Sequence, residues 1–119
     1  MKLVAHEDVR GKFAEVYKGK DAQVSFITIN PGQVRGNHYH KVQHEQFVVI
    51  KGEAVMQTRM LEDKDVTEIV LNDSELQVFT TTPYLVHNIT NRTNDECIVL
   101  LITDKPFNPE DTDTYPEVV

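Results

Sequence analysis

The sequence has little cysteine, no long apolar run and no cluster of basic residues, and each absence excludes a class of protein. The lone Cys97 rules out an intramolecular disulfide. No apolar stretch approaches the roughly 18 residues that a membrane-spanning helix needs, and the first residues lack the apolar centre of a signal peptide. The formal net charge of −7 argues against nucleic-acid binding. A reducing cytoplasm fits all of these features.

The composition is that of an ordinary globular domain, with 39% hydrophobic and 26% charged residues. A chain of 119 residues can bury one core but is too short for two. We find no internal linker or repeat, so the sequence predicts a single domain over residues 1–119. Cys97 opens the apolar run 97–102, which predicts a buried, unreactive thiol.

The apolar residues recur with a period of two almost throughout, which predicts an all-β fold. The apolar segments cover residues 24–29, 47–60, 66–71, 76–81 and 97–102. Turn signals separate them, such as Asn-Pro-Gly at 30–32 and Lys-Gly at 51–52. Only residues 5–17 could hold a short helical turn, and Gly11 weakens that alternative. Many short strands between turn signals predict a β-sandwich or a small barrel.

The C-terminal segment, residues 106–119, has three prolines and four acidic residues. Proline has no N–H to donate to a sheet, so this segment cannot continue a central strand. We expect it to run over the surface or onto a partner subunit.

Histidine and glutamate are concentrated between residues 36 and 52, on what otherwise reads as strand. His38 and His40 point to the same face because side chains alternate along a strand. Glu45 opens the next strand, and antiparallel pairing of the two strands would bring it beside both imidazoles. His87 follows a proline-containing turn and can approach from a neighbouring strand.

Three imidazoles and one carboxylate form a mixed nitrogen and oxygen set that suits Zn, Fe, Mn, Ni or Cu. Such a set leaves positions open for water or a substrate oxygen. Two other histidines are not predicted to join it. His44 neighbours Glu45 and should face the opposite side of the sheet, and His6 precedes the first strand signal. Both are expected to be solvated.

The same stretch matches the first motif of the cupin family at every fixed position. The match runs through Gly32, five residues, His38-x-His40, four residues, Glu45, six residues and Gly52. This resemblance implies a single cupin domain over residues 1–119, which is a double-stranded β-helix or jelly-roll barrel. It also implies a divalent metal ion bound by His38, His40, Glu45 and His87.

The second cupin motif, Pro-x-Gly-x-x-His-x-x-x-Asn, is matched in part by residues 82–91. His87 and Asn91 are in place, whereas Thr82 and Tyr84 replace the proline and the glycine. A tyrosine at the mouth of the barrel is either functional or a structural filler of that space.

Two further stretches resemble narrower groups of cupins. Residues 7–19 are similar to the opening of nucleotide-sugar epimerases of the dTDP-4-dehydrorhamnose 3,5-epimerase type. Residues 34–41 join Arg-Gly to the first histidine, as in those enzymes and in dTDP-sugar 3,4-ketoisomerases. Over residues 8–119 the chain resembles the C-terminal cupin domains of bifunctional capsular polysaccharide enzymes. Those domains bind zinc and epimerise a UDP-linked 4-keto sugar at C3, and a separate reductase domain then reduces it.

These resemblances imply a metal-dependent epimerase or isomerase acting on a nucleotide-linked 4-keto-6-deoxy sugar in capsule or surface polysaccharide biosynthesis. Zinc is the expected ion, with Fe, Mn or Ni as alternatives. Arg10 and Glu15 would contact the nucleotide and Phe13 would pack nearby, although an ordinary amphipathic strand explains the three residues equally well. Arg35 would bind substrate phosphate or sugar, or would form a surface ion pair. Tyr84 is the candidate for a second proton-transfer group.

His38 matches the catalytic base of the metal-free epimerases, but a histidine bound to a metal cannot accept a proton. Two rival functions remain open: an Fe or Ni dioxygenase, and a non-catalytic cupin that binds a nucleotide sugar. The sequence contains no dinucleotide-binding glycine motif, so any reductase is expected to be a separate partner. Because a small barrel exposes edge strands that need covering, we also predict a homodimer.

Overall fold

The computed structural model describes all 119 residues and contains eleven β-strands and no α-helix, so the all-β prediction is confirmed. None of its elements is a helix long and apolar enough to cross a membrane. The strands are β1 (Ala5–Asp8), β2 (Gly11–Lys18), β3 (Gln23–Ile29), β4 (Val34–Tyr39), β5 (Glu45–Lys51), β6 (Glu53–Met60), β7 (Thr67–Asn72), β8 (Phe79–Thr81), β9 (Leu85–Thr90), β10 (Cys97–Thr103) and β11 (Tyr115–Pro116).

The strands form two antiparallel sheets that enclose the core. One has the order β1-β2-β3-β10-β5-β8 and the other the order β11-β4-β9-β6-β7. Both contribute to a single buried apolar cluster, whose members are Ile27, Ile29, Phe47, Val49, Ala54, Met56, Leu71, Ile89, Cys97, Val99 and Leu101. This two-sheet arrangement is the jelly roll that the sequence predicts.

Strand β10 shows how the period of two builds this core. Cys97, Val99 and Leu101 are buried, whereas Ile98 and Leu100 between them are only half-buried on the other face. The prediction of a buried thiol is therefore confirmed. Burial, together with the nearby acidic side chains, raises the pKa of Cys97 to about 11, which keeps the thiol protonated.

The predicted pairing of the strand that carries His38 with the strand that begins at Glu45 is wrong. Strands β4 and β5 lie in different sheets. Strand β4 pairs with β9, which sets His38 directly opposite His87, and β5 pairs with β10 and β8. Residues 40–44 cross from one sheet to the other, so Glu45 faces the imidazoles across the interior. Alternation predicts which face a side chain takes, but it does not predict the strand's partner.

The helical alternative for residues 5–17 is also wrong, because they form the hairpin β1–β2. Its tight turn is stabilised by Asp8, whose carboxylate accepts a hydrogen bond from the backbone N–H of Arg10 at 2.8 Å. The Arg10 guanidinium also binds this carboxylate, with Nη2 at 2.7 Å from Oδ2. A carboxylate that accepts a hydrogen bond from the backbone N–H two residues later favours a turn over a helix.

The C-terminal segment lies at the edge of the second sheet, as its prolines predict. The short strand β11 pairs with β4, with Tyr115 opposite Tyr39. The segment thus covers the outer edge of the strand that carries His38.

Gly36 holds β4 close to β9, and we expect Gly36→Ala to destabilise the fold. Its φ is 103°, and a Cβ there would lie 2.9 Å from the His87 carbonyl oxygen and 3.0 Å from the Asn88 Cα. Backbone strain and the steric clash together should cost about 2–5 kcal/mol in the free energy of unfolding, measured with urea. Gly32→Ala is the control, because its φ is 77° but no atom lies within 4 Å. An equal loss in both variants would show that the clash with β9 is unimportant.

Candidate metal centre

The structure brings His38, His40, Glu45 and His87 together in the interior. One potential ligand atom from each lies within 4.8 Å of the others. His40, Glu45 and His87 are at most 4% exposed, whereas His38 is half-buried. The second sheet supplies His38 and His87 from β4 and β9, His40 follows the end of β4, and Glu45 begins β5 in the first sheet.

Backbone carbonyl groups fix the orientation of two of these imidazoles. His40 Nδ1 lies 2.7 Å from the Asp113 carbonyl oxygen, and His87 Nδ1 lies 2.9 Å from the Leu85 carbonyl oxygen. A carbonyl oxygen only accepts hydrogen bonds, so each Nδ1 carries the proton that it donates. The Nε2 atom of each ring therefore points into the cluster, which is how metal-binding histidines are usually held.

The donor set fits a cation. Glu45 Oε1 lies 2.8 Å from His40 Nε2 and 3.0 Å from His87 Nε2. Although His87 Nε2 is this close to the carboxylate, it is not in hydrogen-bond geometry, and it is the one buried side-chain polar atom without a hydrogen-bond partner. Two lone-pair nitrogens and a carboxylate oxygen that converge in this way need a positive charge among them, either a proton or a metal ion.

The pKa shifts follow from this arrangement. Burial lowers the pKa of His38 to about 4, with a further contribution from His87, so His38 is neutral near pH 7. Burial alone would raise the pKa of Glu45, but the contacts with His40 and His87 hold it well below its usual range. Burial alone would lower the pKa of His40, but Glu45 and the Asp113 carbonyl raise it. Without a metal ion, the raised pKa of His40 favours a proton between His40 and Glu45. A metal ion would replace this proton, because histidine binds metals in its neutral form.

A cavity of about 340 Å³ opens onto this cluster. Its lining is mixed, with apolar walls, two arginines and three of the four cluster residues. The lining residues are His6, Arg10, Phe13, Ile27, Arg35, Gly36, His38, Glu45, Phe47, His87 and Ile89. A molecule in this cavity can therefore contact the cluster and two guanidinium groups at once.

Arg35 is a buried positive charge without an acidic partner. It is 9% exposed, and its Nε and Nη2 atoms donate to the carbonyl oxygens of Thr28 and Lys12, each at 3.2 Å. No carboxylate lies within ion-pair distance of its guanidinium, so the alternative of a surface ion pair is wrong. Burial lowers the pKa of Arg35 and the charge of Arg10 lowers it further, while the more distant Asp8 carboxylate opposes this shift. A buried guanidinium that has no direct ion-pair partner and lines a cavity favours an anionic ligand there.

The structure brings Arg10 and Phe13 into the cavity lining but leaves Glu15 and Tyr84 outside it. Glu15 is exposed on β2. Tyr84 has a φ of 66°, so it adopts the left-handed backbone conformation expected at the position of the family's glycine. Its ring stacks on Tyr39, with centroids 6.1 Å apart, and the residue is 44% exposed.

The two remaining histidines differ from each other. His44 is exposed and pairs with Asp104 at 3.1 Å, so the prediction of a solvated histidine is confirmed. His6 is also exposed, but it lines the cavity, which the sequence analysis missed. Its strand neighbour across the hairpin is Phe13, so recognising residues 5–17 as a hairpin would have placed it there. Asp113 was missed as well, because it contacts His40 from 73 residues away.

Comparison with known proteins gives consistent matches over nearly the whole chain. The family model of the polysaccharide biosynthesis C-terminal domain matches residues 6–115. A Pseudomonas aeruginosa protein, UDP-2-acetamido-2,6-beta-L-arabino-hexul-4-ose reductase, is 40% identical over 111 residues, which are 92% of this chain and 30% of the relative.

Solved structures give the same result for the fold. The capsular polysaccharide assembling protein CapF from Staphylococcus aureus superposes with a TM-score of 0.97 and 31% identity, over 100% of this chain and 32% of CapF. Oxalate decarboxylase from Lactobacillus farciminis shares the fold, with a TM-score of 0.75 and 19% identity over 88% of this chain and 32% of that one. The predicted cupin fold and the similarity to capsular polysaccharide enzymes are confirmed. The chain spans about a third of the length of these relatives.

Proposed function

The chain belongs to the polysaccharide biosynthesis C-terminal domain family, and from this premise we propose that it is a metal-dependent nucleotide-sugar epimerase or isomerase. Its substrate would be a nucleotide-linked 4-keto-6-deoxy sugar, and the reaction would invert C3. The observation that carries the proposal is the shared cavity, in which a buried His/Glu cluster and the unpaired Arg35 face one space. The P. aeruginosa relative is named for a UDP-linked hexul-4-ose, a sugar with a carbonyl group at C4, which supports the proposed substrate class.

Epimerisation beside a ketone needs a base that removes the α-proton and a positive centre that stabilises the enolate oxygen. His38, His40, Glu45 and His87 would hold a divalent ion, which we propose to be zinc, and this ion would supply Lewis-acid chemistry at the C4 carbonyl. The apolar walls, including Phe47 and Ile89, would exclude water from the sugar ring.

Arg35 would bind the negatively charged diphosphate of the substrate. It is buried and has no acidic partner, so its charge is available to a ligand. Arg10 lines the same cavity, but its guanidinium already binds Asp8, and so its contribution should be smaller. This local positive charge allows an anionic substrate to bind to a chain whose net charge is −7.

Deuterium exchange tests the proposed reaction. In D₂O the zinc-loaded protein should exchange the C3 proton of a UDP- or dTDP-linked 4-keto-6-deoxy sugar for deuterium, without a nicotinamide cofactor. Exchange reports proton abstraction even where the epimerisation equilibrium lies far to one side. Absence of exchange across several such sugars, with zinc bound, would contradict the proposal and favour a non-catalytic sugar-binding cupin. Oxygen consumption by iron-loaded protein would instead identify a dioxygenase.

The cavity lining changes the candidate for the proton-transfer group. His6 is the lining imidazole outside the cluster, whereas the Tyr84 side chain stacks on Tyr39 away from the lining. We therefore expect His6→Ala to slow deuterium exchange at C3 by about 10²-fold, and Tyr84→Phe, which keeps the ring, to leave it close to wild type. A large loss of exchange in Tyr84→Phe alone would restore the role predicted from the sequence.

Two partners complete the proposal. A reductase would act on the epimerised sugar, because the P. aeruginosa relative carries that activity in its name.

A second copy of the chain would cover the β1–β2 hairpin. Its edge strand β1 is fully exposed, and the hairpin presents Val9 and Tyr17 to solvent. Sedimentation that shows a monomer at micromolar concentration would contradict the homodimer. A cytoplasmic location remains part of this proposal.

A further inference from the structure

The C-terminal segment contacts the loop that joins two of the cluster residues. Asp113 lies in this segment, just before β11, and is 8% exposed. Its carboxylate accepts hydrogen bonds from three consecutive backbone N–H groups, those of Lys41 at 2.8 Å, Val42 at 3.0 Å and Gln43 at 2.9 Å. These residues belong to the connection that crosses from His40, just after the end of β4, to Glu45 at the start of β5 in the other sheet.

The backbone of the same residue contacts the imidazole. The Asp113 carbonyl oxygen accepts a hydrogen bond from His40 Nδ1 at 2.7 Å. One residue therefore holds both the ring of His40 and the backbone that follows it. Asp113 achieves this with a φ of 48°, a conformation that a non-glycine residue keeps only where its surroundings hold it.

Both contacts act on the geometry of the cluster. The carbonyl contact keeps the proton on Nδ1 and so turns Nε2 of His40 toward Glu45. The carboxylate holds the backbone of the loop through charge-assisted hydrogen bonds, which are stronger than bonds between neutral groups. The ends of the loop have other anchors, since the His40 carbonyl oxygen accepts from the Tyr84 N–H and the His44 N–H donates to Asp104. Residues 41–43 between them depend on the Asp113 carboxylate, so its loss should loosen the spacing of His40 and Glu45.

We propose that Asp113 is a positioning residue of the metal centre, which sets the tautomer of His40 and the spacing of His40 and Glu45 through the C-terminal segment. This inference rests on the proposed metal binding by the cluster. It assigns the segment a role in the site, although Asp113 itself does not line the large cavity.

The chain offers a matched control at the other end of the same segment. Glu117 Oε2 accepts a hydrogen bond from Arg59 Nη2 at 2.7 Å, which anchors the segment without contacting residues 40–45. Asp113→Asn has the same shape as the native side chain, but it is uncharged and its NH₂ group accepts no hydrogen bond, so at least one of the three backbone N–H groups loses its acceptor. Glu117→Gln changes one acid of the segment in the same way and leaves the loop untouched.

Zinc affinity is measured by competition with a chelator, and the ligand geometry by the visible spectrum of the Co²⁺-loaded protein. We expect Asp113→Asn to bind Zn²⁺ about 10- to 100-fold more weakly and to show a changed Co²⁺ spectrum, with Glu117→Gln close to wild type in both. Wild-type affinity and spectrum in Asp113→Asn would overturn the inference. So would an equal loss in Glu117→Gln, because docking of the segment would then be the cause.

Two measurements on metal-free protein separate this inference from the metal proposal. Nitrogen NMR of the His40 ring should show a protonated, hydrogen-bonded Nδ1 in the wild type and a weaker Nδ1–H hydrogen bond in Asp113→Asn, because the carbonyl of residue 113 is then held less firmly against the ring. Amide hydrogen exchange in residues 41–43 should be faster in that variant. If the wild type binds no Zn²⁺, the metal proposal fails, but an unchanged Nδ1 hydrogen bond and unchanged exchange would still overturn the role of Asp113. Should Asp113→Asn fail to fold, Asp113→Gly removes the carboxylate, keeps the carbonyl and relieves the backbone strain.

Discussion

His87→Ala is expected to lose at least about 100-fold in zinc affinity, since even residues that only support a metal ligand cost 10- to 100-fold when replaced. The structure explains why this position should matter. His87 is 2% exposed, its Nδ1 atom is held by the Leu85 carbonyl oxygen, and its Nε2 atom has no hydrogen-bond partner. Removing the ring would leave the Glu45 carboxylate with His40 and the Thr81 hydroxyl as its remaining buried partners.

The substitution should lower stability, because His87 is fully buried and its ring centroid lies 5.9 Å from that of Phe47. The fold should still survive, because the apolar cluster between the sheets keeps all its members. His44→Ala is the matched control, because His44 precedes Glu45 in the sequence but is exposed and pairs with Asp104. Elemental analysis of protein purified without chelators, followed by chelator competition, measures the effect. One zinc per chain in both variants would show that His87 does not bind the metal.

Glu45→Gln is expected to slow deuterium exchange at C3 by about 10²- to 10³-fold, the usual effect of removing one electrostatic contribution to a transition state. A single oxygen of Glu45 lies within 3.0 Å of the Nε2 atoms of both His40 and His87. Glutamine has the same shape but no charge, so two imidazoles would remain without the carboxylate that balances a cation. Single-turnover exchange measured with NMR reports the change.

Binding measurements separate this chemical effect from substrate recognition. Glu45→Gln should bind the nucleotide sugar almost as well as wild type, because Arg35 is untouched. Arg35→Ala should show the opposite pattern, with weak binding and slow exchange that recovers at high substrate concentration. Glu53→Gln, at an exposed position at the start of β6, should change neither property. Loss of binding in Glu45→Gln that equals the loss in Arg35→Ala would contradict the assignment of separate roles.

The sequence predicted those parts of the fold that depend on local patterns. Alternation in 97–102 identified β10 and the buried Cys97 because a strand that packs on a core must present every second side chain to it. It could not identify the partner of β4, since sheet pairing depends on contacts between residues far apart in the chain. The convergence of His40 and Glu45 was expected, but the structure achieves it across two sheets and not within one.

The sequence likewise predicted only part of the candidate site. Residue type, alternation along β4 and the match to the cupin motifs together selected the four residues that the structure brings together. Burial and charge balance could not be read from spacing, so the unpaired state of Arg35 appears only in three dimensions. For Tyr84, the motif predicted the backbone but not the side chain. Its backbone has the positive φ expected of the family's glycine, whereas its ring stacks on Tyr39 outside the cavity lining.

The division of the cluster between two sheets has a consequence for the mechanics of the molecule. His38 and His87 belong to one sheet and Glu45 to the other, so an ion bound by all of them is a reversible cross-link through the centre of the jelly roll. Such a cross-link forms only in the native state and therefore adds its binding free energy to stability, by about 4 kcal/mol at a thousandfold excess over the dissociation constant. If the cluster binds a metal ion as proposed, folding and metal loading would be linked equilibria, and the free metal concentration would help to set the free energy of unfolding.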